Sequence, residues 1–446
     1  MTFYPSYLNP LPFTPKIGIY MGAGASHSWL WFVDLLDRMG LDDVHFMNER
    51  EILIDGLERV DVLLMSGGDT FAIAQSFGVE GSRRLRHFVE EGGLYIGTCA
   101  GAYLPLRSSM EFLNQFNFIN VKISNISRRL AESERPLFQK HACSPYGCEF
   151  VYHVVREDVL LEMEEGYQVG GKKEIIAPLY GGPSMLPSED MEVIAYYRGF
   201  TKKTKFLVTK ELAEKTLNGN IAVARKLMGK GRLYIFGPHF EHPNYPEANG
   251  IIARIILEEG KERATRPFDT EPLSSKIGHS FFEEWRRELS HSRMVAFGLE
   301  MLPHQWMVGN KWYEPEKIRV FLEALWKRLN YLEAGEETDV ALEDPKGMIS
   351  RLKGMTDLLR TMKKESDRGQ TTDGLAEDLF LHLKKVASDF LTIYFRKKRL
   401  ESTHSTPRSA PSTSLRTGTR DMLRVDTERR FSLDSARDGE LVEPLL

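Results

Sequence analysis

The sequence predicts an α/β fold, a doubly wound parallel sheet, followed by a helical C-terminal region and a disordered tail. Three observations carry this. Short apolar runs alternate with segments of helical spacing through the first 260 residues, the pattern of repeated βαβ units. Glycine-rich turns follow several of those runs, which places the turns on the edge where a parallel sheet builds its site. Beyond residue 276 only helical periodicity is found. At 446 residues the chain has room for two domains on a prior of roughly 100–200 residues each. The expected organisation is an N-terminal extension at 1–15, an α/β domain at 16–260, a linker at 261–276 that is charged and carries Pro267 and Pro272, a helical region at 277–400, and a tail at 401–446.

Taken in order, residues 16–20 form a short apolar strand, and 21–26 a glycine turn. Residues 28–39 show helical spacing through Leu30, Phe32, Val33, Leu36 and Met39. Gly22-x-Gly24 invites a dinucleotide reading, but the third glycine and the distal acid are out of register, so no such site is expected. A weaker strand follows at 43–47 and a third at 60–65, which ends in Ser66-Gly67-Gly68-Asp69-Thr70. Residues 71–91 carry one or two helices. A fourth strand closes on Tyr95-Ile96-Gly97-Thr98-Cys99, and 100–106 can start a helix. From 107 to about 180 the pattern weakens into irregular strands and loops suited to the rim of a pocket. Tyr180-Gly181-Gly182-Pro183 is another glycine turn. Strands are expected at 191–197, 221–227 and 232–236, the last running into Gly237-Pro238-His239-Phe240-Glu241-His242, and a helix at 245–259 closes the domain.

Three amphipathic stripes follow, the clearest through Ile318, Phe321, Leu322, Leu325, Trp326, Leu329 and Leu332. The others run from Met348 to Met362 and from Leu375 to Ile393. They suggest a small bundle, or helices folded back on the first domain. After residue 400 the chain is rich in Ser, Thr, Arg and Asp and has too few large apolar residues to offset chain entropy.

Hydrophobic residues make up 42% and charged residues 27%, with a net charge of -4, as in a globular protein. Neither a basic stripe nor an apolar run of about 20 residues is present, so no nucleic-acid or membrane partner is expected, and the cytoplasm is the default location. The three cysteines, Cys99, Cys143 and Cys148, are too few and too oddly spaced for a disulfide framework or a zinc site. Cys143 and Cys148 are read as unmodified thiols. No metal and no cofactor is expected.

Gly97-x-Cys99-x-Gly101 has the form of a nucleophile elbow, with small residues where strand and helix cross. A helix N-terminus at Ala100 would favour the thiolate. A cysteine nucleophile needs a base, a group that orients the base, and donors for the oxyanion. His239 lies just past a strand on the same sheet edge, and Glu241 is placed to fix its tautomer. His242 is a competing base. The other histidines, His27 and His45 among them, lack this placement. The Ala100 N–H and an N–H of Gly67 or Gly68 are the candidate oxyanion donors.

Together these motifs resemble the class I glutamine amidotransferase-like superfamily and, more narrowly, the biotin–protein ligase N-terminal domain family. The matching segments are Ile17-Gly18-Ile19-Tyr20 with Gly24-Ala25-Ser26, Gly97 to Tyr103, Tyr180-Gly181-Gly182-Pro183, and Gly229-Lys230-Gly231-Arg232 leading to Gly237-Pro238-His239. The resemblance implies a flavodoxin-like sheet with a Cys99–His239–Glu241 triad, and assigns Gly101, Tyr103, Gly181 and Gly182 with Gly67, Gly68 and Ala100 to the oxyanion and substrate surface. The family's His-Pro-Glu is His-Phe-Glu here. Nothing after residue 260 resembles a biotin-ligase catalytic domain. The expected activity is that of a cysteine-nucleophile amidohydrolase or amidotransferase-like protein on a small amide, with a protein partner for the helical region. Two alternatives stand beside it. One is a non-catalytic ligand-binding or regulatory module. The other is a peptidase similar to dipeptidase E, whose Gly-Gly-(Asn/Asp)-Thr-Phe turn resembles residues 67–71 but whose elbow carries serine.

Overall fold

The structure is a computed structural model that describes residues 13–126, 151–263, 265–266, 278–302, 304–308, 311–334 and 344–404. Cys143, Cys148, most of the expected linker and the tail beyond His404 lie outside the described residues.

A nine-stranded mixed sheet organises the first 260 residues, in the order β2-β1-β3-β4-β11-β10-β8-β6-β7. Strands β1 (Ile17–Tyr20), β2 (Val44–Met47), β3 (Val62–Met65), β4 (Leu94–Thr98) and β11 (Gly231–Phe236) are mutually parallel. β1, β3 and β4 are buried along their whole length, as strands covered on both faces must be. The sheet then continues antiparallel through β10 (Ile221–Met228), β8 (Glu192–Phe200), β6 (Asp158–Met163) and β7 (Glu174–Pro178). The parallel expectation therefore holds for the half that carries the elbow. Two short strands, β5 (Val155–Arg156) and β9 (Lys205–Phe206), pair separately.

Helix α1 (Trp29–Met39) starts directly after the first glycine turn and ends on Gly40, whose φ of 68° suits a residue without a side chain. Glu49, at the start of α2 (Glu49–Ile54), reaches into that glycine turn, where its carboxylate accepts from the Ala23 N–H at 3.0 Å. The Ala23 N–H of the turn is thus committed to a carboxylate of the protein itself. Helix α3 (Thr70–Glu90) bends at Gly78, where φ is 56° and ψ is -162°, so one and two helices are both fair descriptions of it. The elbow helix α4 (Ala100–Tyr103) and α5 (Glu111–Asn114) are single turns. α6 (Lys210–Leu217) precedes β10, and α7 (Pro246–Glu259) ends the sheet domain.

Beyond residue 277 come α8 (His279–Glu300), a hairpin of β12 (Trp306–Val308) and β13 (Lys311–Tyr313), α9 (Glu316–Glu333), α10 (Pro345–Asp367) and α11 (Asp373–His404). The three expected stripes fall on α9, α10 and α11. The hairpin corrects the reading that only helices lie here, and its strands of three residues are too short for a two-residue period to register. These helices fold back on the sheet domain. Trp29 of α1 meets Phe46 at 5.5 Å and Phe321 of α9 at 6.1 Å between ring centroids, so α1 is held between sheet and bundle. Among the described residues no helix is long and apolar enough to cross a membrane.

Candidate active site

Cys99 sits at the end of β4, between β3 and β11, with φ 50° and ψ -106°. Left-handed backbone of this kind costs a non-glycine residue about 1–3 kcal/mol and is found where the fold over-determines it. Here the Cys99 N–H donates to the Phe236 carbonyl at 3.0 Å, and the Gly101 N–H to the Ser66 carbonyl at 3.2 Å. A Cβ at Gly97 would stand 2.3 Å from the Gly101 carbonyl oxygen, and one at Gly101 would stand 2.2 Å from that of Met65. Only glycine permits this crossing. The elbow helix is shorter than the expected 100–106, so its dipole is weak, and charge control of the thiol falls to a side chain.

That side chain is His239. It is 3% exposed and Glu241 is fully buried. His239 Nδ1 lies 2.7 Å from Glu241 Oε1, which also accepts from the Thr98 hydroxyl at 2.8 Å. The other ring nitrogen faces Cys99. Burial alone would lower the imidazole pKa. The Glu241 carboxylate and the Cys99 sulfur outweigh it, through charge and hydrogen bonds, and push it up to about 10. The attraction is mutual, so an imidazolium here favours a thiolate at Cys99. Phe240, the residue that departs from the family's His-Pro-Glu, is fully buried against Phe236 at 5.0 Å and leaves the acid in place. Trp31 of α1 meets the His239 ring edge-on at 5.1 Å.

The thiol opens on a cleft of about 370 Å³, within the range of small-molecule sites. Ser26, Ser28, Gly67, Arg156, Glu157, Tyr180 and His239 line one side. The other side belongs to the C-terminal region: Gln305, Trp312, Tyr313, Glu314, Lys317 and Val320. No local pattern marks these six as site residues, because only the docking of the hairpin brings them there. His27 and His153 also line the cleft, which corrects the expectation that histidines outside 239–242 stand apart. His242 lies there too, edge-on to Trp31 at 4.4 Å between ring centroids. Burial and the nearby His239 push its pKa down to about 4, and it is the His239 ring that meets the Glu241 carboxylate.

The structure thus brings Cys99, His239, Glu241 and Gly67 together. Ala100 adjoins them, and neither its N–H nor those of Gly67 and Gly68 meets an acceptor among the described residues. Gly101 is different, since its N–H is taken by Ser66. The Tyr103 hydroxyl accepts from Asn125 outside the cleft wall. Gly181 (φ 91°) and Gly182 serve close packing: a Cβ would strike the His153 ring at 2.3 Å and the Gly237 carbonyl at 1.8 Å, respectively. Among the described residues no three His, Cys, Asp or Glu side chains group as a metal site.

Gly67 gives a direct test of this packing. A Cβ there would lie 2.7 Å from His239 Cε1 and 3.0 Å from Ser28 Oγ. Gly67→Ala is expected to displace the imidazole, slow alkylation of Cys99 about tenfold and cost about 1–3 kcal/mol of stability, as overpacking does. Gly250→Ala, where an added methyl meets nothing within 4 Å, is the control in both the labelling and the urea titration.

A family model described as biotin-protein ligase, N terminal, matches residues 17–254, more than half of the chain. No curated protein matches it. Among solved structures, a β-galactosidase from Bacillus circulans sp. alkalophilus is 15% identical with a TM-score of 0.33, over 59% of this chain and 32% of that one. A ThuA-like protein from Bacteroides uniformis is 14% identical with a TM-score of 0.33, over 57% of this chain and 95% of that one. The chain spans about a third of the β-galactosidase's length, and likenesses this slight have no bearing on the reaction.

Proposed function

The chain belongs to the biotin-protein ligase N-terminal family, and from that premise we propose that its cleft cleaves an amide through a thioester on Cys99. The observation that carries the reading is His239, buried between the Cys99 sulfur and the Glu241 carboxylate. The thiolate attacks the amide carbon and a C–S bond forms. The carbonyl electron pair moves to oxygen, to which the N–H groups of Ala100 and of Gly67 or Gly68 would donate. His239 gives its proton to the leaving nitrogen, the C–N bond breaks and an amine departs. His239 then takes a proton from water, hydroxide adds to the thioester, and loss of the thiolate yields the carboxylic acid. Glu241 holds the ring in position throughout, and Thr98 holds Glu241.

The test is a trapped acyl-enzyme. Brief incubation with 4-nitrophenyl acetate followed by acid quench is expected to leave one acetyl group on Cys99, located by mass spectrometry, with a matching burst of nitrophenol. Cys99→Ala abolishes both, and a panel of amides then identifies the substrate. No adduct, or adducts scattered over lysines, would reject the reading and leave a ligand-binding module with the same pocket.

A further inference from the structure

We infer that the cleft selects amides that carry a free carboxylate, and that Arg156 is the residue that recognises it. The inference rests on the acyl-transfer reading above and names its substrate class. Arg156 lines the same cleft as Cys99. Among the described residues its guanidinium has no hydrogen bond and no carboxylate partner. Its Cζ stands over the ring of Tyr180, 5.9 Å from the centroid. The neighbouring acid does not neutralise it. Glu157 instead accepts from the Tyr180 hydroxyl at 2.9 Å and lies 3.6 Å from Lys205 Nζ.

The backbone explains how both residues reach the cleft. Successive residues of a strand point to opposite faces, yet Arg156, at the end of β5, and Glu157 line one wall. Glu157 has φ 67° and, with Cys99, is one of the two non-glycine residues in the left-handed region among those described. That turn between β5 and β6 breaks the alternation and keeps both side chains on the cleft. Strain of this kind gathers where a fold holds functional groups. Tyr180 then sets the spacing. Its carbonyl oxygen is 3.7 Å from Cys99 Sγ, while its ring carries the guanidinium.

An arginine fork matches a carboxylate in two parallel hydrogen bonds. A substrate whose scissile carbonyl sits at Cys99 would therefore place its carboxylate a residue or two away, at Arg156. Glu157 and Glu314 also line the wall, and their charge favours a monoanion over a dianion.

The test uses alkylating mimics on the full chain. N-bromoacetyl-glycine and N-bromoacetyl-4-aminobutyrate are each compared with their carboxamides, and the rate of Cys99 modification is followed by mass spectrometry. With glutathione as reference for intrinsic reactivity, at least one acid is expected to react about tenfold faster than its amide and to saturate with concentration, in keeping with a charge-assisted pair. In Arg156→Gln that ratio falls to the glutathione value, and Arg156→Lys regains part of it. No preference at either spacer length overturns the inference. So does a preference that survives in Arg156→Gln, or one that is lost in Lys317→Gln instead. If Cys99 resists every reagent the acyl-transfer reading fails, and calorimetry with N-acetylglycine decides Arg156 separately. Binding by wild type that disappears in Arg156→Gln supports the carboxylate site, and no binding by wild type rejects it.

Discussion

Alkylation of Cys99 by iodoacetamide is expected to be nearly independent of pH between 6 and 9 in the wild-type chain, and to regain an ordinary thiol titration in His239→Ala. The reasoning starts from the imidazole pKa of about 10. Since it is raised, an imidazolium faces Cys99 over this whole range, and its charge favours ionisation of the thiol. An unperturbed thiol with a pKa of ~8.5 is only about 0.3% ionised at pH 6, so full ionisation raises the reactive fraction roughly 300-fold. A less basic thiolate is less nucleophilic, which returns part of the gain. The net expectation at pH 6 is that His239→Ala slows labelling roughly tenfold or more, whereas at pH 9.5 the two proteins converge. Glu241→Gln should fall between them, because it removes the strongest attraction that holds the proton on the ring. A wild-type profile that rises through pH 8.5 like that of His239→Ala would remove the ion pair and the reading built on it.

What the sequence made legible follows from the range of the interactions. β1, β3, β4 and β11 are short apolar runs because both faces are covered, and the turns after them need glycine for contacts within a few residues. Cys99 and His239 were placed at strand ends by such local patterns, and Glu241 by its spacing from His239. β6 and β7 fall in the stretch expected to hold irregular strands, and their bounds are not legible because apolar residues also occupy exposed positions, as at Ile176, so residue type does not alternate as burial does. Helix α8 lies inside the expected helical region, but the sequence shows no stripe that marks its bounds. Its buried face includes Glu288, Ser292 and Ala296 among the large apolar residues, which blurs the stripe. The second wall of the cleft had no local signature. Trp312 and Lys317 reach it only because α9 and α11 dock on α1, a contact made across some 300 residues of chain.

That docking rests on a group the periodicity of α9 treats as an anomaly. Arg328 interrupts an apolar stripe and is 2% exposed. Its guanidinium lies 2.9 Å from Asp34 and 3.0 Å from Asp37, both on α1, and donates to the Ala324 carbonyl at 2.9 Å. Lys327 also pairs with Asp34, and Lys398 and the Tyr394 hydroxyl with Asp37, at the surface of the same network. Removing one partner of a buried pair costs about 3–5 kcal/mol, toward the low end here because Asp34 keeps Lys327 and Asp37 keeps Lys398 and Tyr394, while an exposed pair is worth about 1 kcal/mol or less. Arg328→Met is therefore expected to lower the unfolding free energy by about 3 kcal/mol, and Lys327→Met, whose side chain is 47% exposed, by less than 1, both read from urea titrations. The pH dependence adds a second check. Burial would raise the Asp37 pKa, but Arg328 and Lys398 hold it below the ordinary value. A lowered carboxyl pKa stabilises the fold above the unfolded value of ~3.9 and loses that effect as the pH falls through the native one. Wild type should accordingly lose stability more steeply below pH 4 than Arg328→Met. The consequence reaches the thiol, because α1 carries Trp31 against His239 and α9 follows the hairpin that walls the cleft. Arg328→Met at a temperature where it remains folded should thus still alkylate at Cys99 but lose the selectivity between reagents that the second wall imposes. A loss of 3 kcal/mol with that selectivity unchanged would mean that the bundle stabilises the sheet domain without shaping its site.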